Sequence, residues 1–363
     1  MRTILTEYRC PRHEEIFFAA FRMLLLSQKR GRNRRLRLTR GRGQDKVIRT
    51  SVRCANIRSP MHAPKKTTAA EITQAALRSF DQTPSPRTKT LLQAAVKHLH
   101  AFATETNLTA NELIRLAEIL TAAGQISDAS RHEFLLMSDI MGLTMVVDYN
   151  TNQKPEGAFE SSVLGPFYRV DAPWIEMGGD ICRQQDAGTP TVVSGRIRST
   201  SGTPIRGAIL DIWQVPANGM YENTDPSQVE FNCRGRLRAA NDGSYRFWTV
   251  KPVPYPIPKD GPAGLILDAA ERHNMRAAHI HLIVEAPGFE KVISELFVRG
   301  DPYIDSDAVF GVKDSLTVDF VRHESPDDAA KYGRPVPFYT VDYDFVLVPG
   351  KTQDEVRFSA GRA

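Results

Sequence analysis

Cysteine is scarce: the 363 residues hold four, Cys10, Cys54, Cys182 and Cys233. Four irregularly spaced thiols make neither a disulfide framework nor a zinc cluster, so a reducing compartment, the cytoplasm, is the expectation. No stretch reaches the roughly 18–20 apolar residues that a membrane helix needs, and no membrane span is expected. Acid is scarce at one end only. Of the 47 basic and 42 acidic residues, 18 and 4 fall in residues 1–66, which leaves 29 and 38 for residues 67–363. A basic segment precedes an acidic body. The net charge of +5 therefore does not indicate nucleic-acid binding, because the body has the wrong sign for a phosphate-binding surface.

Residues 1–66 are set apart from the fold. The apolar run from Ile16 to Leu26 is interrupted by Arg22 and is too short to cross a bilayer. Glu14 and Glu15 spoil a secretory leader. Lys29 to Arg42 is arginine-rich and acid-free, which reads as disordered. The segment is an extension, with Met61 as the alternative start, or an organelle-targeting sequence.

The body changes character near residue 150. Residues 69–148 have helical periodicity, within a helical domain drawn at 67–155. Thr109-Ala-Asn-Glu112 is a capping box, with Leu108 and Leu113 placed as a hydrophobic staple. Leu113, Leu116, Ile119 and Leu120 follow at helical spacing, and Gly124 is a candidate stop. Ser130-Arg-His-Glu133 is a second capping box, predicted to open one long apolar helix to about Val147. Residues 156–363 instead carry turn signals at 200–204, 217–219 and 241–243. Between and beyond them lie β-rich runs at 191–199, 208–215, 244–250, 279–285, 292–298 and 338–348. Helices followed by strands predict a helical domain beside a β-sandwich, mainly β overall, with no βαβ alternation.

Two His-x-His pairs stand out. His98 and His100 fall in a helix, where positions i and i+2 point about 200° apart, so they read as surface or packing residues. His279 and His281 fall in a strand, where i and i+2 share a face. Two imidazoles on one strand face are half of a metal site, or simply hydrogen-bonded strand histidines. A nearby Glu or third His would indicate zinc or iron(II), and none lies close in sequence. Tyrosine is the other anionic oxygen ligand, and composition does not choose among the ten present. Tyr221 follows a Pro-Ala-Asn-Gly turn at a strand end. Tyr255 lies within Pro252-Val-Pro-Tyr-Pro-Ile-Pro258, whose prolines fix the backbone. Both also fit as loop aromatics covering a core edge.

Five segments carry a family resemblance: Val163–Tyr168 (VLGPFY), Asp211–Val215 (DIWQV) with Gly219-Met-Tyr221, Tyr255–Pro262 (YPIPKDGP), Arg276–His281 (RAAHIH) and Asp301–Gly311 (DPYIDSDAVFG). From about residue 67 to about 350 the chain resembles the intradiol ring-cleavage dioxygenases, and within them the hydroxyquinol 1,2-dioxygenases. The resemblance implies one non-haem iron(III) per subunit, with Tyr221 and His279 equatorial and Tyr255 and His281 axial. It places Arg276 beside the substrate and makes Tyr255 a base that takes a substrate proton. It lines the pocket with Leu136, Asp139, Val163, Leu164, Gly165, Pro166, Phe167, Ile257 and Pro258. The implied reaction is cleavage of hydroxyquinol (benzene-1,2,4-triol) by O2 in aromatic compound degradation. Its product is maleylacetate, in enol form 3-hydroxy-cis,cis-muconate. Asp139 is the candidate partner of the third hydroxyl. Catechol or chlorocatechol is the alternative substrate, and a non-catalytic transthyretin-like binding module the alternative class. The resemblance also implies a homodimer through the helical domain, with a phospholipid at its interface. The chain departs from the pattern at Ala277, where many relatives carry Pro, and at Glu295, where catechol dioxygenases carry Gln.

Overall fold

The structure, a computed structural model, describes residues 66–128, 131–184 and 187–350. The basic extension and the Ser130 cap lie outside the described residues. The chain divides into two compact units, with the boundary inside the third helix at Leu116.

The described part of the first unit is an α-hairpin of α1 (Ala69–Ser79) and α2 (Pro86–Glu105), leading into α3 (Ala110–Ile126). Thr68 and Glu71 close a capping box on α1, and Ser85 with Pro86 starts α2. His100 meets Thr73 across the hairpin at 2.9 Å, a packing role, while His98 faces solvent. The predicted box on α3 is present: Thr109 N–H donates to Glu112 at 2.6 Å, and Glu112 N–H returns to Thr109 Oγ1 at 3.3 Å. Leu113, the expected staple partner, is 52% exposed.

In the second unit α3 runs past Gly124 to Ile126. One helical glycine costs only about 1 kcal/mol, and the fully buried Ala123 beside it holds the turn in a packed cluster. The single helix expected after residue 130 is two: α4 (Glu133–Ile140) and α5 (Leu143–Thr151). Gly142 separates them at φ +72°, a left-handed conformation that continuous apolar periodicity gives no hint of. Glu133 also serves a different helix. Its buried carboxylate accepts the Ala263 N–H at 2.9 Å and so caps α6 (Pro262–Ala269), a helix the sequence reading did not find.

The rest of this unit is a sandwich. One sheet centres on β1 (Pro190–Ser199), antiparallel to β4 (Ser244–Val250) and parallel to β11 (Phe338–Asp342) and β12 (Phe345–Leu347), with β10 (Val321–His323) at its edge. The other runs β3 (Arg234–Arg238), β2 (Ile209–Trp213), β7 (His279–Glu285), β8 (Val292–Val298) and β9 (Thr317–Val318). Val193, Ile197 and Phe247 from the first sheet meet Leu210, Ile212, Ile280 and Leu296 from the second in one buried core. Alternate residues of each strand supply it, as a sandwich requires. The predicted strands at 244–250, 279–285 and 292–298 match residue for residue. The run 338–348 is instead broken at Tyr343, whose carbonyl presses on Gly195 where no Cβ fits. Strand β3, Arg-Gly-Arg-Leu-Arg, escaped notice because its composition reads as a charged loop.

Two short strands, β5 (Tyr255–Pro256) and β6 (Met275–Arg276), pair beside the sandwich. A further helix, α7 (Pro326–Tyr332), follows β10. Cys182 and Cys233 are joined by a disulfide across 51 residues, so sparse cysteine here does not mean unpaired cysteine. No described helix is long and apolar enough to cross a membrane.

Candidate metal centre

Three elements aim four side chains at one point. His279 and His281 project from the same face of β7, opposite Phe297 and Glu295 of β8. Tyr221 enters on the loop after β2, where Gly219 turns the chain at φ +72°. Tyr255 is held in β5, paired with Arg276 and flanked by Pro254 and Pro256. Tyr221 Oη lies 3.3 Å from Tyr255 Oη, which is 3.3 Å from His279 Nε2, which in turn is 3.1 Å from His281 Nε2. All four residues are buried.

With both imidazoles protonated on Nδ1, the contact between the two Nε2 atoms has no proton. His279 Nδ1 faces the Ala277 carbonyl at 2.6 Å and must donate, which leaves its Nε2 a lone pair. His281 Nδ1 has no hydrogen-bond partner among the described residues, but Glu295 Oε1 lies 3.5 Å away and favours a proton there. Its Nε2 is then a second lone pair, pointed at the first. Burial lowers the proton affinity of both imidazoles, with Arg276 adding to the effect at His279 and His279 at His281. Burial likewise raises the pKa of Tyr221 and Tyr255, so neither phenol ionises unaided. Two facing lone pairs and two phenols that need a cation to ionise are the donor set of a hard, highly charged metal ion. Gly165 adjoins this set: a Cβ there would meet His281 Cε1 at 3.3 Å and Nε2 at 3.4 Å, at a backbone φ of +72°.

Glu295, which is not close in sequence, is brought beside the histidines by the pairing of β7 with β8. It lies 3.3 Å from His279 Nε2 and, with both histidines, could form a two-His, one-carboxylate cluster. Its oxygens are already engaged. Arg276 donates to Oε1 at 2.6 Å and to Oε2 at 3.2 Å, and Ser162 donates to Oε2 at 2.6 Å. A carboxylate committed in this way can serve as a counter-ion behind the imidazoles, which leaves Tyr221 and Tyr255 as the residues that could offer anionic oxygens. Arg276 is buried between Glu295 and Asp307, which takes its Nε at 3.1 Å. These two carboxylates hold it charged against the cost of burial. Asp307 also accepts the Ala277 and Gly311 N–H groups. Sequence reasoning missed Asp307 and Ser162, since nothing local marks residues that meet only through the fold.

Five of the expected pocket residues fall in two clusters. Val163, Ile257 and the partly buried Leu136 pack together. Leu164 and Phe167 pack with Tyr221, Tyr255 and Trp213, and Phe167 stacks on Tyr221 at 4.6 Å. Asp139 lies on α4 with Oδ1 accepting from Thr144 at 2.5 Å, and burial raises its pKa. Pro166 and Pro258 are exposed.

Comparison with known proteins fits this geometry. Residues 163–349 match the Dioxygenase family and residues 85–159 the Catechol dioxygenase N terminus family. A hydroxyquinol 1,2-dioxygenase of Rhizobium sp. is 43% identical over 281 residues, 77% of this chain and 94% of that protein. A 6-chlorohydroxyquinol 1,2-dioxygenase of Cupriavidus pinatubonensis is 40% identical over 278 residues, 77% of this chain and 96% of that protein. The solved hydroxyquinol 1,2-dioxygenase of Pseudomonas putida DLL-E4 superposes with a TM-score of 0.73 at 42% identity, covering 78% of this chain and 99% of that one. The chain belongs to the intradiol ring-cleavage dioxygenases.

Proposed function

We propose that the chain cleaves hydroxyquinol between its adjacent hydroxylated carbons, using O2, at one non-haem iron(III) held by Tyr221, Tyr255, His279 and His281. The observation that carries this reading is the convergence of four buried donor heads, two phenol oxygens and two imidazole nitrogens, in one chain of close contacts. Bound there, iron(III) supplies an electron-poor centre that draws charge from the aromatic ring and makes it reactive toward oxygen. The protein does the rest. Tyr255 Oη, at the meeting point of Tyr221 and His279, accepts a proton from one substrate hydroxyl. Arg276, whose Nη1 reaches within 3.4 Å of His279 Nε2, stabilises negative charge as it develops. The apolar walls from Val163, Leu164, Phe167, Ile257 and Leu136 exclude water and strengthen that interaction. Both oxygen atoms enter the product, maleylacetate, whose enol form is 3-hydroxy-cis,cis-muconate.

Hydroxyquinol is favoured over catechol by the names of the relatives above and by Asp139. Thr144 occupies its Oδ1, which leaves Oδ2 for a third hydroxyl. Steady-state oxygen uptake tests this choice. Hydroxyquinol is expected to be consumed with a higher kcat/KM than catechol or protocatechuate. Asp139→Asn should lower kcat/KM for hydroxyquinol about tenfold or more, the worth of a charge-assisted hydrogen bond, with little change on catechol. Equal losses on both substrates remove Asp139 from substrate recognition.

We further propose that the helical residues mediate a homodimer and can carry a phospholipid at its interface. Ile72, Leu91, Leu113 and Ile114 leave apolar surface exposed on α1 to α3, as do Val146 and Val147 on α5.

A further inference from the structure

Arg234 is buried beside the metal centre without belonging to it. It opens β3, and its side chain is 1% exposed. Nε donates to Glu222 at 2.7 Å, yet both terminal nitrogens are buried with no hydrogen-bond acceptor among the described residues. Glu222 cannot neutralise Arg234 alone, because its other oxygen takes Arg169 Nη1 at 2.7 Å. Two guanidinium groups share one buried carboxylate. The second partner of Arg169, Glu230, has a side chain that is 73% exposed and contributes little at depth. The guanidinium carbon of Arg234 stands 5.5 Å from the ring centroid of Tyr221, the residue before Glu222. A buried cation with unmet donors is costly unless negative charge faces it. The Tyr221 ring meets that need, and meets it best as a phenolate.

We propose that Arg234 is a positioning residue for Tyr221: tethered through Glu222, its guanidinium holds the ring and stabilises the phenolate, and so sets the energy of tyrosinate-to-iron charge transfer. This rests on the iron reading above. Charge transfer moves electron density from the phenolate to the metal. Removing the cation raises the phenolate electrons in energy and moves the absorption to longer wavelength. Removing the competing carboxylate does the opposite.

The test is the visible spectrum of the iron-loaded full chain and three variants. Arg234→Met should move the band to longer wavelength by on the order of 20 nm, the effect of one charge at that range in an effective dielectric of about 20. Arg234→Lys should move it less, since charge is kept but the planar fork is lost. Glu222→Gln should move it to shorter wavelength. A merely structural role gives no reason for opposite signs. Should Arg234→Met fail to fold, the sign for Glu222→Gln decides, and a shift to longer wavelength or no shift overturns the proposal. A coloured wild type with unmoved variants overturns this proposal alone; a colourless folded wild type that takes up no iron overturns it together with the iron reading.

Discussion

Tyr255→Phe is expected to lower kcat by about 100- to 10,000-fold, the range for loss of a positioned proton acceptor, while the protein stays folded. The ring is what the fold needs: it packs edge-on to Tyr221 at 5.4 Å and tilts against His279 at 5.4 Å, and phenylalanine keeps both contacts. Only the hydroxyl at the meeting point is lost. The charge-transfer band should change with it. Tyr168→Phe is the control. Tyr168 lies in the same family segment as the pocket residues, but its hydroxyl donates to Asp211 at 3.0 Å. That variant should keep both the colour and most of the rate. Stopped-flow turnover with parallel spectra separates the two. A Tyr255→Phe enzyme with unchanged rate and colour assigns the role to another tyrosine.

Arg276→Leu should cost stability as well as activity. The side chain is 4% exposed and lies between two carboxylates that are less exposed still. Its removal strands Glu295 and Asp307 without a counter-charge, a loss of about 3–5 kcal/mol by analogy with broken buried pairs. Arg276→Lys restores the charge but not the fork, which donates to both carboxylates at once. The lysine variant should recover part of the stability and little of the activity. Urea denaturation of the metal-free proteins, read beside kcat/KM, gives both quantities. Equal stability of the leucine variant and the wild type contradicts the ion-pair account. Gly311 limits repair from outside, since a Cβ there would come within 2.7 Å of Arg276 Nη2 and 2.9 Å of Glu295 Oε2.

How much of this was legible in the sequence depended on distance along the chain. The His279–His281 pair was readable because strand geometry places i and i+2 on one face, and the strand proved to be the predicted one. Helical geometry correctly set aside His98 and His100. Tyr221 and Tyr255 were candidates by their places on a turn and between prolines, and resemblance chose them. The partners behind the centre were not readable. Glu295 and Asp307 reach Arg276 from 19 and 31 residues away in sequence, Ser162 reaches Glu295 from 133, and nothing local marks any of them as a partner of Arg276 or of another. Gly142 ends a helix that apolar periodicity continues, because a left-handed turn depends on one backbone angle rather than on pattern. The Cys182–Cys233 bond and the charged strand β3 were hidden for the same reason: tertiary contacts decide them.

The central claim is that Tyr221, Tyr255, His279 and His281 hold iron(III). Metal analysis of the purified full chain, read together with its visible spectrum, tests it most directly. The account predicts about one iron per chain and a wine-red tyrosinate-to-iron absorption that changes in Tyr255→Phe and is lost when both tyrosines are phenylalanine. A folded protein that stays colourless and takes up no iron(III), or one whose colour survives replacement of both tyrosines, contradicts it.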